Sequence, residues 1–327
     1  MLISLGISAL TTVSCISQSG DAPQSTASAS IDMPEETAEV AVADTTVVDS
    51  VRARTIPLRI YMPRAEGRVP LIIFSHGLGS SKEGAGYLGM AWARKGYVSL
   101  HLQHPDSDSS LNWFQLYRAS YDRRVFRNRP MDVTFVLDQL MAAGTDPVVQ
   151  RAAARIDFDH VGVGGHSYGA YTSLVVAGGL IKVDEGPRIS LLDKRVDAIV
   201  GLSSPRMKAF TSREAYGQIT VPILHMTGTR DTSWIFRTKP YHRRIPFDSI
   251  TRSEQYLVTM AGAMHGSFSE RTERAPEENL ERFHAETVKF TGAFWDAFLK
   301  NDQRARASLK QFESSFSRVE VKLPAAQ

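Results

Sequence analysis

Five residues, Gly165-His166-Ser167-Tyr168-Gly169, stand between an apolar run, Val161-Gly162-Val163-Gly164, and a small-residue stretch, Ala170-Tyr171-Thr172-Ser173-Leu174-Val175-Val176-Ala177. A chain with this pattern is constrained to a strand, a sharp turn and a helix in immediate succession, with the serine at the turn. A hydroxyl is a weak nucleophile, so the backbone must hold it where a base can reach it, and glycines two before and two after leave room for that close approach. The pentapeptide alone would arise by accident in about one chain in ten of this length. The surrounding pattern therefore has to carry the reading.

That pattern is an alternation of apolar runs with helical periodicity. Strands are expected over 58–62, 69–74, 97–102, 160–164, 198–202, 223–227 and 255–260, and helices over 83–95, 131–143, 168–179 and 281–300. Strands alternating with helices argue for βαβ units, hence an α/β fold with a mostly parallel central sheet flanked by helices. Two connections, 105–130 and 232–251, are longer than a βα unit requires and rich in aromatic and basic residues. Long loops in a compact domain are usually functional or disordered. Trp113, Trp234 and Phe236, with Phe114 and Tyr117, are candidates for lining an acyl pocket there; the alternative is that they cover an edge of the core.

The chain of 327 residues, 43% hydrophobic and 22% charged, is long enough for one large core, and one catalytic domain is expected over 51–327. A net charge of +3, with 38 basic against 35 acidic residues, disfavours nucleic acid as a partner. The local basic clusters Tyr121 to Arg129 and Tyr241-His242-Arg243-Arg244 read as solvated surface rather than an anion-binding rim, with no catalytic role. A single cysteine, Cys15, rules out an internal disulfide. Residues 1–14 are apolar and uncharged and too short to span a bilayer, and Thr12-Val13-Ser14-Cys15 resembles a permissive bacterial lipobox. No Lys or Arg precedes the apolar stretch, and Thr12 stands where leucine is commoner. The expectation is an exported protein, anchored at the cell envelope through a lipidated Cys15 or else periplasmic or secreted. Residues 16–50, dominated by Ser, Ala, Thr, Asp and Glu, read as a disordered tether between leader and domain.

A serine hydrolase needs a base, an acid to orient it, and donors for the oxyanion. His265, in Ala261-Gly262-Ala263-Met264-His265-Gly266-Ser267, follows the last expected strand on a small-residue loop. Asp231, in Gly228-Thr229-Arg230-Asp231-Thr232, follows the strand at 223–227, so its carboxylate should emerge at the carboxyl edge where open α/β sheets bind ligands. Asp197 and Asp248 are competing acids, the first at the wrong end of its strand and the second within a loop. The order Ser167, Asp231, His265 is the order of the α/β-hydrolase fold. The loop Ser75-His76-Gly77-Leu78-Gly79-Ser80 follows an early strand, and the main-chain N–H groups of Leu78 and Tyr168 are the expected oxyanion donors, with the His76 ring bracing the backbone.

The runs Pro70 to Ser80, Tyr87-Leu88, Gly96-Tyr97-Val98, His104-Pro105-Asp106-Ser107-Asp108 and Gly165 to Gly169 resemble the dienelactone-hydrolase-like and platelet-activating-factor-acetylhydrolase-like α/β-hydrolases. The resemblance runs from about Val51 to Lys300 and implies carboxylic ester hydrolysis through an acyl-enzyme. Two departures bound it. Dienelactone hydrolases proper use a cysteine where this chain has Ser167, and in the acetylhydrolases the acid follows an earlier strand, where this chain has Ser203-Ser204-Pro205. The expected partner is a small or lipid-like ester; no cofactor is implied. His101 and His104, three apart on a strand, should face opposite ways, so no metal is assigned. The alternatives are a polyesterase or lipase on an insoluble substrate, a peptidase, and a non-catalytic binding protein on a hydrolase scaffold.

Overall fold

Alternating side chains of the strand Val69–Ser75 divide the molecule into two cores. Leu71 and Ile73 enter one, with Val133, Val136, Leu137 and Tyr171, while Ile72 and Phe74 enter the other, with Leu88, Trp92, Phe294 and Trp295. A strand apolar on both faces must be covered by helices on both sides, so the sheet is the middle layer of three. The computed structural model describes residues 39–64, 66–105, 111–182, 186–207, 213–234, 237–270 and 277–324.

In chain order the elements are β1 (Val40–Asp49), β2 (Arg54–Pro63), β3 (Val69–Ser75), α1 (Gly86–Arg94), β4 (Val98–Leu102), α2 (Trp113–Tyr121), α3 (Arg123–Met141), α4 (Pro147–Arg155), β5 (Ile156–His166) and α5 (Tyr168–Val176). There follow a short hairpin, β6 (Leu180–Ile181) with β7 (Ile189–Ser190), then β8 (Ala198–Leu202), β9 (Ile223–Arg230), α6 (Ile245–Ser249), β10 (Gln255–Met264), α7 (Glu277–Leu299), α8 (Gln303–Gln311) and β11 (Ser317–Lys322). The main sheet has the order β1-β2-β4-β3-β5-β8-β9-β10-β11. From β4 to β10 every neighbouring pair is parallel, and antiparallel strands stand only at the two margins. The carboxyl ends of the parallel strands thus share one edge, with β5 near the middle of it. Helices α3, α4 and α5 supply one core and α1, α7 and α8 the other. This is the α/β-hydrolase fold that the sequence led us to expect.

The N-terminal boundary differs from expectation. Folded structure does not begin near Val51, because β1 pairs with β2 over its whole length, from Val40↔Pro63 to Asp49↔Arg54. As an edge strand, β1 buries only Val47 and Asp49, so its composition reads as polar linker. The rest of the expected tether and the leader, Cys15 included, lie outside the described residues.

The segment 105–130 also differs. Asn112 and Gln115 form a reciprocal capping box that starts α2, and the Asp122 side chain accepts from Arg124 N–H to start α3. The latter helix runs through Pro130. A proline there removes the N–H that would bond the Phe126 carbonyl, and the Tyr171 hydroxyl donates to that carbonyl instead, at 3.2 Å.

Candidate active site

Strand β5 delivers Ser167 to the carboxyl edge and α5 leaves it at once, which forces the serine into φ 54°, ψ −113°. A non-glycine residue in this region is strained, and only over-determined surroundings hold it there. The flanking glycines supply the clearance. A Cβ at Gly165 would overlap the Gly169 backbone, and one at Gly169 would overlap the Ser75 carbonyl at the end of β3. The Ser167 turn is thereby wedged against the neighbouring strand.

Three side chains from three strand ends converge. The Ser167 hydroxyl donates to His265 Nε2 at 2.9 Å, and His265 Nδ1–H donates to Asp231 Oδ1 at 3.0 Å. The neutral ring with its proton on Nδ1 satisfies both bonds, and it is the state a general base requires. Asp231 is fully buried, whereas a quarter of the His265 side chain (25%) is accessible. Of the competing acids, Asp197 accepts from Val161 N–H at the far end of the sheet, and Asp248 pairs with Arg244.

The Asp231 carboxylate has four donors for its four lone-pair sites. Oδ1 meets His265 and, at 2.9 Å, Arg243 Nη2; Oδ2 accepts from Thr227 at 2.9 Å and from the Ser203 hydroxyl. Burial would push this carboxyl up, but the Arg243 guanidinium and the bonds from His265 and Ser203 outweigh it and hold it far below the usual carboxylate range. Desolvation lowers the His265 pKa first; the Asp231 hydrogen bond works against this and the Arg243 charge adds to it, for a net fall below 6.5. A base kept neutral at ordinary pH is the result.

Arg243 was expected on the surface and is instead 1% exposed. Its Nη1 donates to the carbonyls of Ser203 and Ser204 at 2.8 and 3.0 Å, and its Nε to the Asp231 carbonyl at 3.3 Å. Arg129, from the other basic cluster, is also fully buried: it donates to the His76 carbonyl at 2.7 Å and lies over the Tyr168 ring, 4.6 Å from its centroid. A basic run gives no sign of which member turns inward, so composition alone could not find either. His166 was missed too. Its Nε2–H donates to the His265 carbonyl at 3.0 Å, its ring packs 4.9 Å from the His265 ring, and burial pushes it down to about 3, so it stays neutral.

The loop holding Leu78 runs beside Ser167, since a Cβ at Gly77 would lie 3.4 Å from Ser167 Cβ. Tyr168, the other expected donor, is the first residue of α5, where helix N–H groups point outward and the dipole favours negative charge. His76 braces this loop: Nδ1–H donates to the Gly77 carbonyl at 2.6 Å, and Nε2 accepts from His104 N–H at 3.0 Å. Of the aromatic candidates, Trp234 is 64% exposed, the Trp113 side chain is not among the described ones, and Phe236 lies outside the described residues.

A second serine–histidine–aspartate line lies one strand away. The Ser75 hydroxyl donates to His104 Nε2 at 2.8 Å and His104 Nδ1–H to Asp132 Oδ2 at 2.9 Å, with Asp132 also paired to Arg54 at 2.7 Å and Arg52 at 2.9 Å. Ser75, His104 and Asp132 are all fully buried.

A family model, platelet-activating factor acetylhydrolase, isoform II, matches residues 30–125. This is less than a third of the chain; it takes in β1 to β4, the Leu78 loop and α2, and stops short of Ser167, Asp231 and His265. No match to a curated protein was found. The match bears out the resemblance read from the sequence: the chain has an α/β-hydrolase fold similar to platelet-activating factor acetylhydrolase, isoform II, and this likeness supports a serine ester hydrolase.

Proposed function

We propose that the protein hydrolyses a carboxylic ester, small or lipid-like, through an acyl-enzyme on Ser167. The observation that carries this reading is the unbroken bonded line from a strained serine through a partly accessible His265 to a buried carboxylate. In the reaction His265 Nε2 takes the hydroxyl proton as Ser167 Oγ attacks the ester carbonyl. The oxyanion is received by Leu78 and Tyr168 N–H. His265 returns the proton to the departing alkoxide, and a water molecule repeats the sequence to free the acid. Asp231, with every lone pair occupied, orients the ring and stabilises its charged form without taking its proton.

The test is labelling of Ser167 by a fluorophosphonate together with turnover of a short-chain nitrophenyl ester. A folded protein that does neither would favour a non-catalytic binder. One observation favours a second reading. Phe114, Tyr117 and Tyr121 are 52%, 45% and 49% exposed at helical spacing along α2, the helix whose Leu116 packs on Gly79 of the Leu78 loop. Such a face beside the site suits an insoluble ester, and rates on polyester film against short esters separate the two. Anchoring through Cys15 would suit either substrate; Cys15→Ser should release an anchored protein from the membrane fraction.

A further inference from the structure

The connection between β9 and β10 carries a buried guanidinium into the middle of the site. Arg243 is fixed by three carbonyls, those of Ser203, Ser204 and Asp231, and its Nη2 stands 2.9 Å from both Asp231 Oδ1 and His265 Nδ1. Fixing a rigid planar cation by three carbonyls and a carboxylate in a fully desolvated place is not needed to hold a surface connection down. Removing a buried charge's partner is costly, so the guanidinium and the carboxylate hold one another in place. Because His265 Nδ1 already bears its proton, the nearby Nη2 opposes a second proton on the ring, at Nε2.

We propose that Arg243 is a positioning residue for the ester hydrolysis proposed above, holding Asp231 as a permanently ionised partner and keeping His265 a free base in mildly acidic solution. The inference rests on the serine-hydrolase reading. Among the described residues, the charged and titratable groups that face His265 are Asp231 from the end of β9, Arg243 from the connection that follows, and His166 from the end of β5. The last stays neutral through the range at issue. Of these, only Arg243 contributes positive charge, and its sign fits the lowering of the His265 pKa. Its loss leaves Asp231 unopposed, so the ring should hold its proton to higher pH.

The experiment is the pH profile of kcat/KM on a short-chain nitrophenyl ester for the full chain and for Arg243→Gln, Arg243→Met and Arg243→Lys. Gln and Met should raise the pH of the acid limb by about one unit, with a lower plateau. Lys keeps the charge but cannot reach every carbonyl at once, so its limb should stay within about 0.3 units of wild type while kcat falls. A merely structural role would lower the plateau and leave the limb where it was, and that result from Gln or Met would overturn the proposal. If neither neutral variant folds, Lys decides alone: a limb displaced by as much as a unit would show that charge is not the agent. Failure of the underlying reading would look different, as a wild type with unlabelled Ser167 and no profile to measure, and would take the inference with it.

Discussion

Ser75–His104–Asp132 and Ser167–His265–Asp231 use the same three residue types, the same ring tautomer and bonds that differ by no more than 0.1 Å, yet their surroundings differ. The first is sealed, with its serine at the end of a regular strand and its carboxylate clamped by two arginines. The second has its serine at φ 54°, at the start of α5, and a ring open to solvent on one side. Hydrogen-bond geometry alone therefore does not make a nucleophile. Access, a strained turn and a place for developing negative charge do. The sealed line has another task. It ties the end of β3, from which the Leu78 loop springs, to Asp132 on α3.

Four measurements would break or sharpen this contrast, and a fifth tests the helix beside it. Ser167→Ala should lower kcat/KM by about 10⁴-fold or more with an unchanged far-UV spectrum, whereas Ser75→Ala should keep turnover within about tenfold and leave fluorophosphonate labelling intact. Equal losses would end the distinction. Next, Asp132→Asn should cost about 3 kcal/mol of stability in urea unfolding, because Arg54 is left in a buried place without its charge partner. Its kcat should fall far less than that of Asp231→Asn, for which about 10³-fold or more is expected. Third, Gly77→Ala puts a methyl 3.2 Å from His166 Nδ1 and 3.4 Å from Ser167 Cβ, pushing the loop off the nucleophile. It should lower kcat by about ten- to a hundredfold at little change in KM.

The fourth concerns acid. His76 beside the sealed line and His166 beside the open one are both held neutral by burial, the first well below 6.5 and the second near 3. A histidine whose folded pKa is depressed contributes stability that is complete above the unfolded value near 6.5 and is lost as pH falls from there toward the folded value. Each should therefore add up to about 1.4 kcal/mol per pH unit to the acid slope of unfolding free energy. His166→Gln should flatten that slope by the corresponding amount. The smallest effect is expected of Tyr171→Phe, which unmakes the bond to the Phe126 carbonyl under Pro130 and should cost about 1 kcal/mol.

The parallel sheet and its principal helices could be read from the sequence because their strands are apolar on both faces and their helices long. The three side chains of the open line could be read because the fold class dictates which strand end each must follow. What escaped did so for physical reasons. Strand β1 is stabilised by pairing rather than burial, so its valines and threonines carried the only signal, in β-branching. Helix α2 was hidden by its exposed aromatics, although Asn112 and Gln115 spelled its start, and Pro130 masked the first half of α3. Arg129, Arg243 and His166 were out of reach because inward orientation is a property of the assembled loops. Ser203 was likewise out of reach, although its hydroxyl donates to Asp231.

The ten-rung ladder between β1 and β2 also decides where this protein can be cut. A shortened version beginning at Val51 would look sensible on composition, yet it would strip the cover from a strand whose Ile56, Leu58 and Ile60 belong to the core, leaving a bare adhesive edge for other molecules to join. Anyone trimming the N-terminal residues for expression should keep everything from Val40 onward.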